Sequence, residues 1–306
     1  MTKGNVVEHP QVAGLKESRT QALLRQFDVG TDFLDPALPK GLFSFSQYNS
    51  WLICARAYEY KYVQQVRTPD YVATSRGSAV HSGVEHMLRA KMDGKPLLIE
   101  EGREVVSKAF DEKAKGIIDW GDEKPGAVKD GTLALFNTYV QNGLAKVNPV
   151  AVEEGFIKKI GTVPMAGWID LIDEQPAMSF AGMAVEHTAL VGKRRVTVDL
   201  KTGKAKWSGK EVALEPQLTL YAYVAGTPFV RIDLLQTHKA KKGPSTSFSQ
   251  VEGIRGHRDV EIFIEHLEEV VDYVKKGIFP RTEIDHWSCD VNHCSFHSLC
   301  RGKKSP

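Results

Sequence analysis

Two charged residues that could do chemistry stand at the end of one predicted strand. Residues 195–201 alternate between apolar and polar side chains, which predicts a strand with Asp199 and Lys201 on the same face. A carboxylate that holds a divalent cation beside an ammonium group that orients water suits a hydrolytic reaction. A solvent-facing ion pair is the ordinary alternative for so short a motif.

A second carboxylate, Asp170, lies within the apolar stretch 165–172. An unpaired charge in the middle of such a strand costs several kcal/mol, so we expect Asp170 to have a partner. A hard cation shared by two carboxylates is one such partner. A backbone N–H donor or a salt bridge is the other interpretation.

Three more polar side chains lie on predicted helices. Gln217 and Tyr221 are four residues apart, which places them on one face of an otherwise apolar helix. His81 lies on a helix predicted over 78–92, and neutral imidazole is a common metal ligand. The ordinary alternatives are hydrogen bonds to nearby backbone for Gln217 and Tyr221, and a structural or exposed role for the histidine.

Four segments with different patterns position these residues. They are an N-terminal extension (1–40), a helical region (41–150), a strand-rich core (151–258) and a C-terminal helix with a cysteine tail (259–306). Helices before and after a run of strands are typical of an α/β or an α+β fold. We predict the α/β class, with a mixed central sheet flanked by helices. A chain of 306 residues with 42% hydrophobic and 25% charged residues is neither collagen-like, mucin-like nor disordered.

The four cysteines form the second candidate site. Cys289, Cys294 and Cys300 fall within the tail, whereas Cys54 lies on a predicted helix that begins at Ser44 or Ser46. The chain starts without a secretory signal, and no stretch approaches the roughly 20 apolar residues of a membrane span. We therefore expect a cytoplasmic protein, and in a reducing compartment grouped cysteines indicate metal binding before disulfides.

Taken in order, the polar residues resemble the RecB-like branch of the PD-(D/E)XK nuclease superfamily. The resemblance runs from about residue 44 to residue 300. Ile169 stands where the family has proline, a residue that carries no chemistry there. The matching pattern is Gly77-x3-His81, Glu153, Gly167-x2-Asp170, Asp199-x-Lys201 and Gln217-x3-Tyr221.

This resemblance implies a restriction-endonuclease-like core and a metal-dependent DNA exonuclease that uses Mg²⁺ or Mn²⁺. Lys201 would place or activate the attacking water. Glu153 matches an acidic position on the preceding strand, with Glu154 as a competitor, and Gln217 and Tyr221 match a helix motif that supports the substrate and the active-site geometry. The implied metal ligands are His81, Asp170, Asp199 and the main-chain carbonyl of Leu200.

The cysteines resemble the iron–sulfur members of this branch, which include AddB-type helicase-nucleases and CRISPR-associated exonucleases. The resemblance implies a [4Fe–4S] cluster held by four thiolates, which would join the two ends of the chain. Ala55 replaces a proline of the family pattern, and the tail has two extra residues between its first two cysteines. Zinc is the alternative, held by four thiolates or by a mixture that includes His293 or His297.

The net charge of +2 gives no indication of partners, so contacts with DNA would come from local clusters. Lys239, Lys241 and Lys242 form a predicted basic hairpin turn, and Trp207 and Trp287 could stack on bases or lie in the core. The sequence has no helicase P-loop, so a recombination or helicase partner would supply unwinding.

The interpretation is a nuclease of recombination, repair or phage DNA processing. The alternatives are a CRISPR-adaptation nuclease with its own partner and a non-catalytic DNA-binding scaffold with structural zinc.

Overall fold

The structure, a computed structural model, describes residues 19–176, 192–238 and 245–302. The strands in these ranges are β1 (Asp70–Tyr71), β2 (Ile118–Asp119), β3 (Pro149–Ile160), β4 (Val163–Pro176), β5 (Lys193–Gly203), β6 (Phe229–His238) and β7 (Ser245–Ile254). The α-helices are α1 (Arg19–Gln26), α2 (Phe45–Ile53), α3 (Ala55–Tyr58), α4 (Val72–Met92), α5 (Ile99–Ala114), α6 (Pro125–Asn142), α7 (Gly209–Leu214), α8 (Pro216–Ala225), α9 (His257–Lys275) and α10 (His297–Arg301).

A five-stranded mixed sheet organises the fold, in the order β3-β4-β5-β6-β7. Neighbouring strands are antiparallel except β5 and β6, which run parallel. A parallel pair needs a crossover connection, which α7 and α8 supply here. The predicted α/β fold with a mixed sheet flanked by helices is therefore confirmed.

The first hydrophobic core lies between the sheet and helices α4, α5 and α6. Apolar residues at helical spacing on α4 are buried in it, and the apolar face of β5 meets them, so the helical region and the strand-rich core share one interior. These buried residues are Val80, Val84, Met87 and Leu88 on α4, and Val196, Val198 and Leu200 on β5.

The second hydrophobic core includes residues of α2, α8 and α9. The amphipathic helix α9 contributes Phe263, Leu267 and Val270 to it. On strand β4, Ile169 belongs to this second core and Leu171 belongs to the first. Asp170 therefore lies where the two cores meet.

The helix predicted to carry Cys54 is interrupted at that residue. Ser44 caps α2 as predicted, since its side chain accepts a hydrogen bond from the Gln47 N–H. Cys54 itself has an extended backbone, with φ of −163°, between α2 and α3. The prediction that it lies on the helix is wrong, because the chain turns here to meet the tail: the Arg56 N–H donates to the Pro280 carbonyl.

Strands β6 and β7 pair as the predicted hairpin. The basic residues predicted at its tip, Lys239, Lys241 and Lys242, lie outside the described residues. No helix in the described part of the chain is long and apolar enough to cross a membrane.

Candidate metal centre

His81 and Asp170 meet through the backbone of Leu200. The Leu200 N–H donates to Asp170 Oδ2 at 2.9 Å, and His81 Nε2 lies 2.8 Å from the Leu200 carbonyl oxygen. With Nε2–H donating to that carbonyl, the other ring nitrogen, Nδ1, carries a lone pair and lies 3.6 Å from Asp170 Oδ2. A histidine whose second nitrogen is fixed by a carbonyl is the usual arrangement of a metal ligand.

Glu153 completes a group of three ligands. One ligand atom from each of His81, Glu153 and Asp170 lies within 4.8 Å of the others, and these three residues are called the metal centre below. The β3–β4 ladder pairs the residues on either side of Glu153 and Asp170 but passes over these two. Glu153 also has a positive φ of 49°, a strained backbone of the kind that accumulates at functional sites. Glu154 is exposed, so the structure places Glu153, and not its competitor, at the centre.

Asp199 is not a member of this three-residue group, although the sequence analysis joins it to His81 and Asp170. Its Oδ2 lies 2.7 Å from the Lys201 ammonium, which in turn donates to Gln217 Oε1 at 2.8 Å. The Gln217 amide donates to the Tyr221 hydroxyl at 2.6 Å. The structure therefore brings these four predicted residues together as one chain of contacts beside the metal centre.

Burial sets the electrostatics of the site. It raises the pKa of Asp170 from 3.8 to about 7; the His81 ring opposes this rise and the Asp199 carboxylate adds to it. For Lys201, burial works to lower the pKa, but the Asp199 carboxylate outweighs it and the pKa is raised. Lys201 is therefore an ammonium ion at neutral pH. Of the three neighbouring carboxylates, Asp199 is in contact with Lys201 and Glu153 with Arg19, so the charge of Asp170 is the one that a bound cation would offset.

The donor set fits a hard divalent cation. Asp199 Oδ2 is buried and, despite its contact with Lys201, has no hydrogen-bond partner of acceptable geometry among the described residues. His81, Glu153 and Asp170 line a pocket that opens to solvent. Carboxylate oxygens with one imidazole are ligands that Mg²⁺ and Mn²⁺ accept. A divalent cation would also favour the ionised form of Asp170, whose pKa burial raises.

The four cysteines line a separate pocket. The tail docks against the chain around Cys54, where the Thr282 hydroxyl donates to the Ile53 carbonyl and the rings of Tyr60 and Phe296 lie 5.6 Å apart. Among the described residues, no three cysteine sulfurs lie within 4.8 Å of one another.

The tail cysteines differ in their surroundings. Burial, together with the neighbouring thiols, raises the pKa of Cys294. The Arg301 side chain hydrogen-bonds to Cys289, which raises the pKa of the guanidinium.

Of the two tryptophans considered for base stacking, Trp207 packs partly buried against a hydrophobic core, whereas Trp287 is 63% exposed.

Sequence reasoning missed a buried ion network under the sheet. Arg231 donates to Asp233 Oδ1 at 2.6 Å and to Asp173 Oδ2 at 2.7 Å, and all three side chains are almost fully buried. The available signal was an arginine and an aspartate two residues apart in an otherwise apolar strand. Arg19, which forms an ion pair with Glu153, was likewise not predicted from the sequence.

Comparison with known proteins gives one family match. The model of the PD-(D/E)XK nuclease superfamily matches residues 42–301. No curated protein matches the chain. Among solved structures, a candidate exonuclease from Eubacterium rectale is similar over 96% of both chains with 12% identity and a TM-score of 0.47. The protein SSO0001 is similar over 85% of this chain and 96% of its own, with 11% identity and a TM-score of 0.32.

Proposed function

Because the chain belongs to the PD-(D/E)XK nuclease superfamily, we propose that it is a DNA exonuclease that hydrolyses phosphodiester bonds with Mg²⁺ or Mn²⁺. The observation that carries this proposal is the convergence of His81, Glu153 and Asp170 beside the ion pair of Asp199 and Lys201. His81, Glu153 and Asp170 would hold the cation, which would acidify a bound water and offset charge on the scissile phosphate.

Lys201 is the residue best suited to assist the attacking water. Asp199 and Gln217 hold its ammonium group on two sides, and Tyr221 fixes Gln217 in turn. Because the carboxylate raises its pKa, Lys201 stays charged and does not remove a proton from water at neutral pH. It acts as a fixed cation that orients water and stabilises the negative charge that develops on the phosphate.

In this proposal, DNA reaches the centre through phosphate contacts that include Lys239, Lys241 and Lys242, which follow β6 in the sequence. The proposed setting is recombination, repair or phage DNA processing. A helicase or recombination protein is the proposed partner, because the sequence lacks a P-loop of its own.

We also propose that Cys54, Cys289, Cys294 and Cys300 hold a structural [4Fe–4S] cluster. The four cysteines line one pocket, and four thiolates are the ligand set of a [4Fe–4S] cluster. Such a cluster would fasten the tail to the chain around Cys54, where hydrogen bonds and aromatic contacts already meet.

The experiment that tests the proposed reaction compares linear and covalently closed DNA. Protein purified without oxygen is incubated with end-labelled linear strands or closed circles, in Mg²⁺, in Mn²⁺ or in EDTA. We expect digestion of the linear DNA only, and only with the divalent ion. Equal cutting of closed circles would show an endonuclease, and digestion in EDTA would remove the metal from the mechanism.

A further inference from the structure

Helix α1 places an arginine against the metal centre. Arg19 Nη2 lies 2.5 Å from Glu153 Oε2, and its guanidinium carbon lies 4.4 Å from the centroid of the Trp168 ring. The arginine side chain is still 64% exposed, whereas the glutamate side chain is only 10% exposed. The guanidinium therefore has one side on the protein and an open side that a ligand can reach.

A glycine on β3 fixes the position of this helix. Leu23 of α1 is 3% exposed and lies over Gly155, where a Cβ atom would come within 2.4 Å of its Cδ2. Arg19 is one helical turn before Leu23, and Glu153 is two residues before Gly155, so each pair lies on one face of its element. The four residues from Arg19 to Leu23 advance about 6 Å along the helix, and the two residues from Glu153 to Gly155 advance about 6.6 Å along the strand. The contact between Leu23 and Gly155 therefore brings Arg19 to Glu153.

We propose that Arg19 is a substrate-binding residue that contacts a backbone phosphate of DNA at the metal centre. This inference rests on the proposed nuclease function. A guanidinium presents a planar fork of donors that matches phosphate oxygens, and stacking on Trp168 limits the orientations of that fork. Glu153 has two carboxylate oxygens, so it can hold Arg19 through Oε2 and leave Oε1 for a cation.

Two other roles for Arg19 predict different results. If it competed with the cation for Glu153, its removal would strengthen metal binding and speed digestion. If it only held Glu153 in place for the cation, its removal would weaken metal binding. A phosphate contact predicts weaker DNA binding without weaker metal binding, because the negative charge at the centre increases when the guanidinium is lost.

The test measures DNA binding in a chain that does not cleave. The full-length Lys201→Met variant keeps all three residues of the metal centre and lacks the ammonium on which the proposed reaction depends. Three second substitutions are each added to it: Arg19→Met, Arg19→Lys and Arg25→Met. Arg25→Met is the control, because it removes an exposed cation from the same helix. Anisotropy of a fluorescein-labelled single strand is recorded in Mn²⁺ over a range of salt concentrations, and Mn²⁺ binding without DNA is measured by calorimetry.

We expect Arg19→Met to weaken DNA binding about tenfold, as for the loss of one charge-assisted contact. The slope of log K against log[salt] should fall by about 0.7 to 0.9, the value of one phosphate contact. The DNA affinity of the Arg19→Lys variant should lie between those of the Lys201→Met parent and the Arg19→Met variant. The DNA affinity of the Arg25→Met control should stay within about twofold of the parent's. The Mn²⁺ affinity of the Arg19→Met variant should equal or exceed the parent's.

Several results would overturn the inference. DNA affinity and salt slope equal to those of the Lys201→Met parent would exclude a phosphate contact, and a loss of Mn²⁺ affinity would make Arg19 a positioning residue for Glu153. If instead the parent bound no DNA, or still digested it, the proposed function or its assignment of Lys201 would fail, independently of how Arg19 behaves.

Discussion

Replacing Arg231 by methionine should destabilise the whole fold. The guanidinium makes three contacts with Asp173 and Asp233, at 2.6, 2.7 and 3.3 Å, in a place that solvent does not reach. Methionine fills a similar volume but leaves two buried carboxylates without their cation. The removal of one partner from a buried ion pair costs about 3–5 kcal/mol.

The remaining hydrogen bonds place the loss at the lower end of that range, about 3 kcal/mol. Asp173 still accepts from the Asn148 N–H at 2.7 Å and from the Gln175 amide at 2.7 Å. Asp233 keeps the Gln250 amide at 3.1 Å. With a urea dependence of about 3 kcal/mol per molar for a chain of this size, the midpoint should fall by about 1 M.

The loss should depend on pH in a defined direction. Burial raises the pKa of Asp233 and Arg231 opposes that rise, so without the arginine the pKa rises further. A carboxyl group whose pKa is higher in the folded than in the unfolded state costs stability above its folded pKa, and this cost disappears as the pH falls. The difference between wild type and variant should therefore be largest at pH 8 and smaller at pH 5.

The measurement is urea unfolding followed by circular dichroism at both pH values. Arg194→Met is the control, because Glu252, the partner of Arg194, is 38% exposed and can be solvated again, so we expect a loss below about 1 kcal/mol. If Arg231→Met does not fold, Arg231→Lys takes its place, with a smaller loss in the same direction. A loss below about 1 kcal/mol, or one independent of pH, would refute the reasoning.

Two further predictions concern packing and the cysteines. Gly83→Ala should destabilise the protein by about 1–3 kcal/mol, because the new Cβ would lie 2.2 Å from Val106 Cγ2. Gly131→Ala should stabilise α6 by up to about 1 kcal/mol, because a Cβ there would have nothing within 4 Å. Urea unfolding that ranks the two variants the other way would contradict this prediction. Cys300→Ser, purified without oxygen, should lose a broad absorbance near 400 nm and most of its iron, and wild-type protein with one zinc and no iron would contradict the proposed cluster.

Local patterns were sufficient to predict much of the site. Alternation along β5 placed Asp199 and Lys201 on one face, and spacing on α8 placed Gln217 four residues before Tyr221, as observed. The role of Asp199 as a metal ligand stays a prediction: the structure shows it in contact with Lys201, next to the three residues of the metal centre.

The contacts missed by the sequence analysis are long-range. Arg19 reaches Glu153 across 134 residues, and Arg231 reaches Asp173 across 58. No periodicity within one element encodes such a pair, since it depends on how strands and helices pack. The break at Cys54 has the same origin, because the extended backbone there lets the chain meet Pro280.

The most direct test of the central claim is the initial rate at which linear DNA is digested in Mn²⁺ by wild type and by Asp170→Asn. The substitution keeps the size of the side chain and an oxygen for the Leu200 N–H, but removes the charge that would hold the cation. If Asp170 holds the cation, the initial rate of the Asp170→Asn variant should be at least about 100-fold lower, with an unchanged near-ultraviolet circular dichroism spectrum. Asp130 is an exposed carboxylate on α6, so the Asp130→Asn control should keep the wild-type rate. An Asp170→Asn protein that digests DNA at the wild-type rate would contradict the central claim.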